Sequence, residues 1–309
     1  MPKVLIADAL SPRAAEIMVA RGADVDFLPG IPAAELKERI AAYDGLAVRS
    51  ATKVTKGLLA HAEKLRVIGR AGIGVDNIDV EAATQRGIVV MNTPYGNSIT
   101  AAEHTIALLF ALCRQIPAAD RSTQAGKWEK ARFMGVELSG KTLGVIGCGN
   151  VGAAVAERAR GLHMKVIAYD PFLSAERARD LGVEKMTLEV LFARADFITL
   201  HTPLSEATRN LIDRHALALT KPGVRLINCA RGGLVVEEDL AAALDSGHVA
   251  GAAIDVFAEE PAIESPLFGR DNVVATPHLG ASTSEAQENV ALQIAEQMTG
   301  ALTMLTAVS

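Results

Sequence analysis

Short apolar runs alternate with longer amphipathic stretches along almost the whole 309-residue chain. The runs lie at Lys3–Asp8, Gly45–Val48, Val67–Arg70, Val89–Asn92, Leu143–Gly147, Val166–Asp170, Phe197–Leu200, Arg225–Asn228, Gly251–Asp255 and Asn272–Ala275. Apolar on both faces and separated by helical periodicity, they predict parallel strands with helices packed on each side of the sheet. The expected class is α/β, with two doubly wound parallel-sheet domains. No fixed-period repeat is visible, although both halves share the alternation.

Two helical patterns interrupt this rhythm. One runs from Ser98 to about Gly126, after the first block of strands, and the other from Thr283 to Met298, after the last strand. A chain that leaves one domain, builds a second and returns needs two such crossings. The pattern therefore predicts a smaller, discontinuous domain of flavodoxin-like type, residues 1–97 and 283–309, and an inserted domain, residues 98–282.

The inserted domain contains, at Lys141–Asp170, the run KTLGVIGCGNVGAAVAERARGLHMKVIAYD. Gly147, Gly149 and Gly152 have G-x-G-x-x-G spacing between an apolar strand and an alanine-rich helix. In that context the first glycine makes the tight turn, the second admits a pyrophosphate and the third lets helix and strand approach. The helix N-terminus adds unpaired N–H groups and positive dipole. Asp170 ends the next strand, where a carboxylate accepts hydrogen bonds from ribose hydroxyls and repels a 2′-phosphate. These features predict a Rossmann domain that binds NAD in preference to NADP; the alternative for Asp170, which precedes Pro171, is a turn residue.

Composition narrows the partners. Half of the residues are hydrophobic, 22% are charged and the net charge is -5, with no basic stripe for nucleic acid or an anionic membrane. The apolar stretch Thr105–Cys113 is far below the roughly 20 residues that span a bilayer, and the N-terminal run is too short for a signal sequence. Cys113, Cys148 and Cys229 lack metal-ligand spacing, so neither zinc nor disulfides are expected. A small-molecule substrate and a cytoplasmic location follow.

Hydride transfer without a metal needs a proton acceptor, usually histidine. His61, His163, His215 and His248 lie among charged residues, as surface histidines do. His104 falls in the first connecting helix and His201 after a strand, where packing or cofactor contact fits. His278 follows a strand in TPHLGAST, at the carboxyl end where open α/β sheets bind ligands. Arg231, in NCARGG, and Glu260, in DVFAEEP, end two neighbouring strands in the same way. Arginine can grip a carboxylate through two N–H donors, and glutamate can orient a histidine. Taken singly, Arg231 also reads as a surface ion-pair residue, Glu260 as an exposed turn carboxylate and His278 as structural.

GCGNVG, NCARGG, DVFAEEP and PHLGAST, in that order, resemble the D-isomer-specific 2-hydroxyacid dehydrogenases over nearly the whole chain. VRSATKVT, GRAGIGVDNID, NTPYGNSITAAEH and GKWEKARFMG bring it nearest to those members that act on 3-phospho-D-glycerate. The resemblance implies that Arg231 binds the substrate carboxylate, that His278 moves the proton and that Glu260 is its partner. It assigns Asn150, Val151, Thr202, Cys229, Ala230, Asp255 and Gly280 to the cofactor, besides the glycines and Asp170. The activity implied is oxidation to 3-phosphohydroxypyruvate, the first step of serine biosynthesis, by a homodimer or higher homo-oligomer. Asn150 stands where many members carry arginine, and the C-terminal GALTMLTAVS does not resemble the continuation into regulatory domains. A short form or a truncated tail is therefore expected, without feedback through such domains.

Arg49 and Arg70 end apolar strands of the first domain, and the Gly72-Ile73-Gly74 turn offers N–H groups for a carboxylate. These residues suit a phosphorylated substrate in a cleft shared with the cofactor domain. Lys130 and Arg132 are further candidates from a neighbouring subunit, or else solvated surface cations. The rival expectations are a glyoxylate/hydroxypyruvate reductase or another D-2-hydroxyacid dehydrogenase, and, from a different class, an NAD-sensing corepressor-like scaffold.

Overall fold

The computed structural model describes residues 1–307 and divides into two compact units, Met1–Asn97 with the chain from Ala281 onward, and Ser98–Gly280. Val308 and Ser309, assigned from sequence to the smaller domain, lie outside the described residues.

The first unit holds a parallel sheet of β1 (Lys3–Ile6), β2 (Asp24–Phe27), β3 (Gly45–Val48), β4 (Val67–Arg70) and β5 (Val89–Asn92), in the order β2-β1-β3-β4-β5. This is the flavodoxin-like order. Val4, Leu46, Ala47, Val67 and Ile68 are fully buried, as two-sided coverage requires. One cover is the helix Ser284–Ala307, whose Ile294, Met298 and Leu302 pack with Val4, Ile6 and Val67. A Cβ on Gly69 would fall 2.2 Å from the Met298 sulfur, so the close seat of this helix depends on glycine there.

The second unit is a seven-stranded parallel sheet: β6 (Thr142–Ile146), β7 (Lys165–Tyr169), β8 (Glu184–Lys185), β9 (Phe197–Leu200), β10 (Val224–Asn228), β11 (Val249–Ile254) and β12 (Val273–Ala275). Its order, β12-β11-β10-β9-β6-β7-β8, is the dinucleotide-binding order with one strand added at the edge. The order reverses between β6 and β9, and the loops after β6, β7, β9, β10, β11 and β12 all leave the same, carboxyl, end of the sheet.

Two strands escape the sequence pattern. β2 (DVDF) and β8 (EK) carry exposed or half-buried polar residues and no apolar run, because each is an edge or near-edge element with little to bury. The helical pattern from Ser98 to Gly126 is two helices, Ser98–Cys113 and Ile116–Gln124. Pro117 cannot continue a helix through the preceding turn, and Gln115 takes a left-handed conformation at φ 52° between them. The last helix runs on to Ala307, nine residues past the end read from sequence, because Leu302 still has a core to enter.

Candidate active site

The glycine loop meets the demands of a pyrophosphate cradle. Gly147 has φ +89°, and a Cβ there would lie 2.5 Å from the His201 carbonyl oxygen. At Gly152 a Cβ would lie 2.0 Å from the Gly147 oxygen, so the helix Asn150–Gly161 can reach the turn only without a side chain. Around Gly149 nothing stands within 4 Å of a built Cβ, which leaves the approach to the helix N-terminus open. Asn150 and Val151 form the first turn of that helix.

Asp170 follows β7. One carboxylate oxygen accepts the Cys148 amide at 2.8 Å and the other the Phe172 amide at 2.8 Å, so the side chain is held beside the loop in a fixed orientation. On the far side of β6, Thr202 carries a buried hydroxyl that makes no hydrogen bond among the described residues. A buried, unpaired hydroxyl costs free energy unless a ligand completes it. The open glycine turn, the fixed carboxylate and this hydroxyl fit a dinucleotide.

The loop after β10 is shaped by Asn228, a buried residue that sequence reading passed over. Its Nδ2 donates to the Arg231 carbonyl at 2.8 Å and its Oδ1 accepts the Ala230 amide at 3.0 Å, bracketing Cys229, Ala230 and Arg231 in a tight loop. A polar residue directly after the buried apolar pair Leu226–Ile227 was the available signal. Arg231 is partly buried, and one of its guanidinium nitrogens donates to the Ala230 carbonyl at 2.6 Å. Burial pushes the Cys229 thiol up to about 12 against an opposing hydrogen bond from Thr105, so it stays protonated.

The loops after β11 and β12 join through Asp255, which is fully buried. Its carboxylate accepts the Thr276 hydroxyl at 2.6 Å, the Leu279 amide at 2.7 Å and the Gly280 amide at 2.9 Å. Its backbone carbonyl accepts the His278 amide at 2.8 Å. Burial works to raise this carboxyl, but hydrogen bonds from His104, Thr276 and Leu279 outweigh it and hold Asp255 below the ordinary value. The turn so anchored presents His278 at φ 55°, a left-handed conformation that non-glycine residues adopt only when the surroundings impose it.

Within this frame His278 Nδ1 lies 2.7 Å from Glu260 Oε2. The other Glu260 oxygen accepts the Phe257 amide at 3.1 Å. Burial raises the Glu260 carboxyl, yet the His278 ring and the Phe257 amide together keep it below its usual value. An ionised Glu260 can only accept, so His278 carries its proton on Nδ1 and presents the Nε2 lone pair. Glu260 and His278 themselves help to line a pocket of ≈ 330 Å³, together with Phe257, Pro261, Phe268 and Pro277 among others.

A ring nitrogen of His104, Cys229 Sγ and an Asp255 oxygen lie within 4.8 Å of one another, the one such metal-capable group among the described residues. Burial keeps the Cys229 thiol protonated, and the Asp255 oxygens already accept from Thr276, Leu279 and Gly280.

The proposed substrate residues lie in the first unit. Arg49 follows β3, its amide fixed by Asp8 at 2.5 Å and its carbonyl by Asn77 at 2.7 Å, with a guanidinium nitrogen 3.4 Å from the Ala9 carbonyl. Arg70 ends β4 and folds back over Gly72, where a Cβ would meet its guanidinium at 1.6 Å. Asn92 Nδ2 holds the Ile73 carbonyl at 2.6 Å, and the Gly72 carbonyl accepts the Thr93 amide at 3.0 Å, which sets the Gly72–Gly74 turn. Arg132 is committed within its own chain, to Glu129 and to Asp271 at 3.2 and 3.0 Å, and Lys130 is exposed.

Residues 106–280 match the family described as D-isomer specific 2-hydroxyacid dehydrogenase, NAD binding domain. The chain belongs to this family. It is similar to the D-3-phosphoglycerate dehydrogenase of Synechocystis sp., with 49% identity over 307 residues, 99% of this chain and 55% of that protein. It matches the D-3-phosphoglycerate dehydrogenase of Archaeoglobus fulgidus with 50% identity over 297 residues, 96% of this chain and 56% of that protein. The chain thus spans about half the length of these curated relatives. Among solved structures, a glyoxylate reductase from Paecilomyes thermophila aligns with a TM-score of 0.89 at 28% identity, covering 97% of this chain and 95% of that one.

Proposed function

We propose that the protein oxidises 3-phospho-D-glycerate to 3-phosphohydroxypyruvate with NAD. The observation that carries the proposal is the 2.7 Å bond between His278 Nδ1 and Glu260 Oε2, which leaves Nε2 as a base beside a dinucleotide cradle. Identity of 49–50% to two D-3-phosphoglycerate dehydrogenases supports the choice of substrate.

Gly147, Gly149, Asn150, Val151 and Gly152 would hold the pyrophosphate, Asp170 the ribose hydroxyls, and Thr202, Cys229, Ala230, Asp255 and Gly280 the nicotinamide half. Bound there, NAD⁺ would supply a two-electron acceptor for the hydrogen on C2. Arg231 grips the C1 carboxylate and fixes the C2 hydroxyl toward His278. Nε2 takes the hydroxyl proton as the carbonyl forms, and Glu260 stabilises the imidazolium, so no net charge is left unpaired. In the reverse direction the same imidazolium returns the proton. Arg49 and Arg70 are assigned to the phosphorylated end of the substrate, and the N–H groups of the Gly72-Ile73-Gly74 turn to its carboxylate.

Among the described residues no helix is long and apolar enough to cross a membrane. We further propose a cytoplasmic homo-oligomer; Trp128 and Met134, 86% and 81% exposed, supply apolar surface for a second copy.

The likeness to a glyoxylate reductase favours one second reading, reduction of small 2-oxo acids. Following nucleotide absorbance at 340 nm with 3-phospho-D-glycerate, D-glycerate, D-lactate and glyoxylate separates the two. The phosphorylated acid is expected to give the highest kcat/KM, and Arg70→Ala to raise its KM about tenfold or more with little effect on D-glycerate. Equal effects on both acids, or preference for glyoxylate, would contradict the assignment.

A further inference from the structure

Every partner of the Asp255 carboxylate described above belongs to the Thr276–Gly280 turn, with one exception. His104, on the helix Ser98–Cys113, places Nε2 3.2 Å from Asp255 Oδ1 and 3.3 Å from Thr276 Oγ1. The Thr276 hydroxyl proton is already given to Asp255. Ionised Asp255 has no proton to give, so at both contacts His104 Nε2–H is the donor. Its side chain is 18% exposed, which shelters the bond from competing water.

This arrangement ties a helix to a turn 172 residues away in sequence, at the carboxylate from which the turn hangs. The turn carries His278 in a left-handed conformation, a state that persists only while its surroundings over-determine it. Asp255 receives Thr276 and Leu279 on Oδ1 and Gly280 on Oδ2. By sharing its proton between Asp255 and Thr276, His104 restrains the rotation of the carboxylate from which the turn hangs. The charge of Asp255 is also felt at Glu260, whose carboxyl it works to raise.

We propose that His104 is a positioning residue for the proton transfer, acting through Asp255 and Thr276 to hold the turn that presents His278. The inference rests on the function proposed above for His278, but one arm of its test does not. Glutamine can place an N–H near the position of Nε2; leucine and asparagine cannot, the first for lack of a donor and the second for lack of reach.

The first arm is amide hydrogen exchange at Leu279 and Gly280 in the ligand-free protein. His104→Leu and His104→Asn should exchange about tenfold faster than wild type, and His104→Gln at close to the wild-type rate, as loss of a hydrogen bond to a charged group predicts. The second arm is kinetics with whichever 2-hydroxy acid the wild type oxidises. Here kcat should fall about tenfold in His104→Leu and His104→Asn with KM for the acid changed much less, and His104→Gln should restore it. If the wild type oxidises no 2-hydroxy acid, the proposed function fails and the exchange arm alone decides. Unchanged exchange in His104→Leu and His104→Asn, or failure of His104→Gln to rescue, overturns the inference.

Discussion

Gly232 lies directly against the Phe257 carbonyl, so close that a Cβ at 232 would stand 1.8 Å from its oxygen and 2.6 Å from the Ala258 nitrogen. The two loops in contact carry Arg231 on one side and Glu260 on the other. Their neighbours reinforce the fit: Glu237 accepts the Ala258 amide at 2.8 Å and the Ser265 hydroxyl at 2.5 Å, anchoring the second loop to the helix that follows the first. Absence of a side chain at 232 thus sets the spacing between the proposed carboxylate clamp and the proton carrier.

Gly232→Ala is expected to force these loops apart, because backbone rather than a flexible side chain is in the way. Stability should fall by about 1–3 kcal/mol, the range for overpacking a closed site, and kcat/KM by about a hundredfold or more through misplacement of Arg231. Urea unfolding and steady-state kinetics check the two parts. An alanine variant with wild-type kcat/KM would show that the loop spacing does not matter to the reaction.

Glu260→Gln tests the electrostatic half of the pair. In the oxidation direction His278 must be neutral to accept a proton, and an adjacent carboxylate favours the imidazolium. Removing that charge takes away the group that stabilises the imidazolium formed as the proton is accepted, so kcat should fall by about tenfold or more, read by steady-state kinetics with the acid. A kcat unchanged in Glu260→Gln would separate Glu260 from the proton transfer.

His201 predicts an acid-labile fold. Burial holds its ring neutral down to about 3, from an ordinary value of 6.5, and Thr199 lies 2.9 Å from its Nε2. Between those limits the unfolded chain binds a proton that the folded chain does not. Stability from this source is complete above pH 6.5 and is lost as pH falls toward 3. Urea unfolding at pH 7 and pH 5 should show the wild type losing at most about 2 kcal/mol more than His201→Asn. Equal losses would mean that the ring is solvated enough to protonate in place.

Much of the architecture was legible because strands covered on both faces leave continuous apolar runs; Val67–Arg70 and Phe197–Leu200 match their observed bounds. Asp24–Phe27 and Glu184–Lys185 were illegible for the converse reason, since edge strands bury little. The glycine motif was readable at the level of single residues, each glycine answering a contact or an opening that a side chain would spoil. The role of Asp255 as the anchor of the His278 turn was not. It arises from bonds spanning 21 to 25 residues, which no local pattern encodes. His104 was equally hidden, its polar contact made far along the chain from a helix that reads as apolar packing.

The central claim is that His278, paired with Glu260, moves the proton while NAD accepts the hydride. Its most direct test is NADH formation from 3-phospho-D-glycerate by the wild type and by His278→Ala, with NADH binding to each followed by fluorescence. The expected result is wild-type turnover and a fall in kcat of about a hundredfold or more in the variant, the contribution of a general base, with NADH affinity retained. A variant that turns over at the wild-type rate would contradict the account.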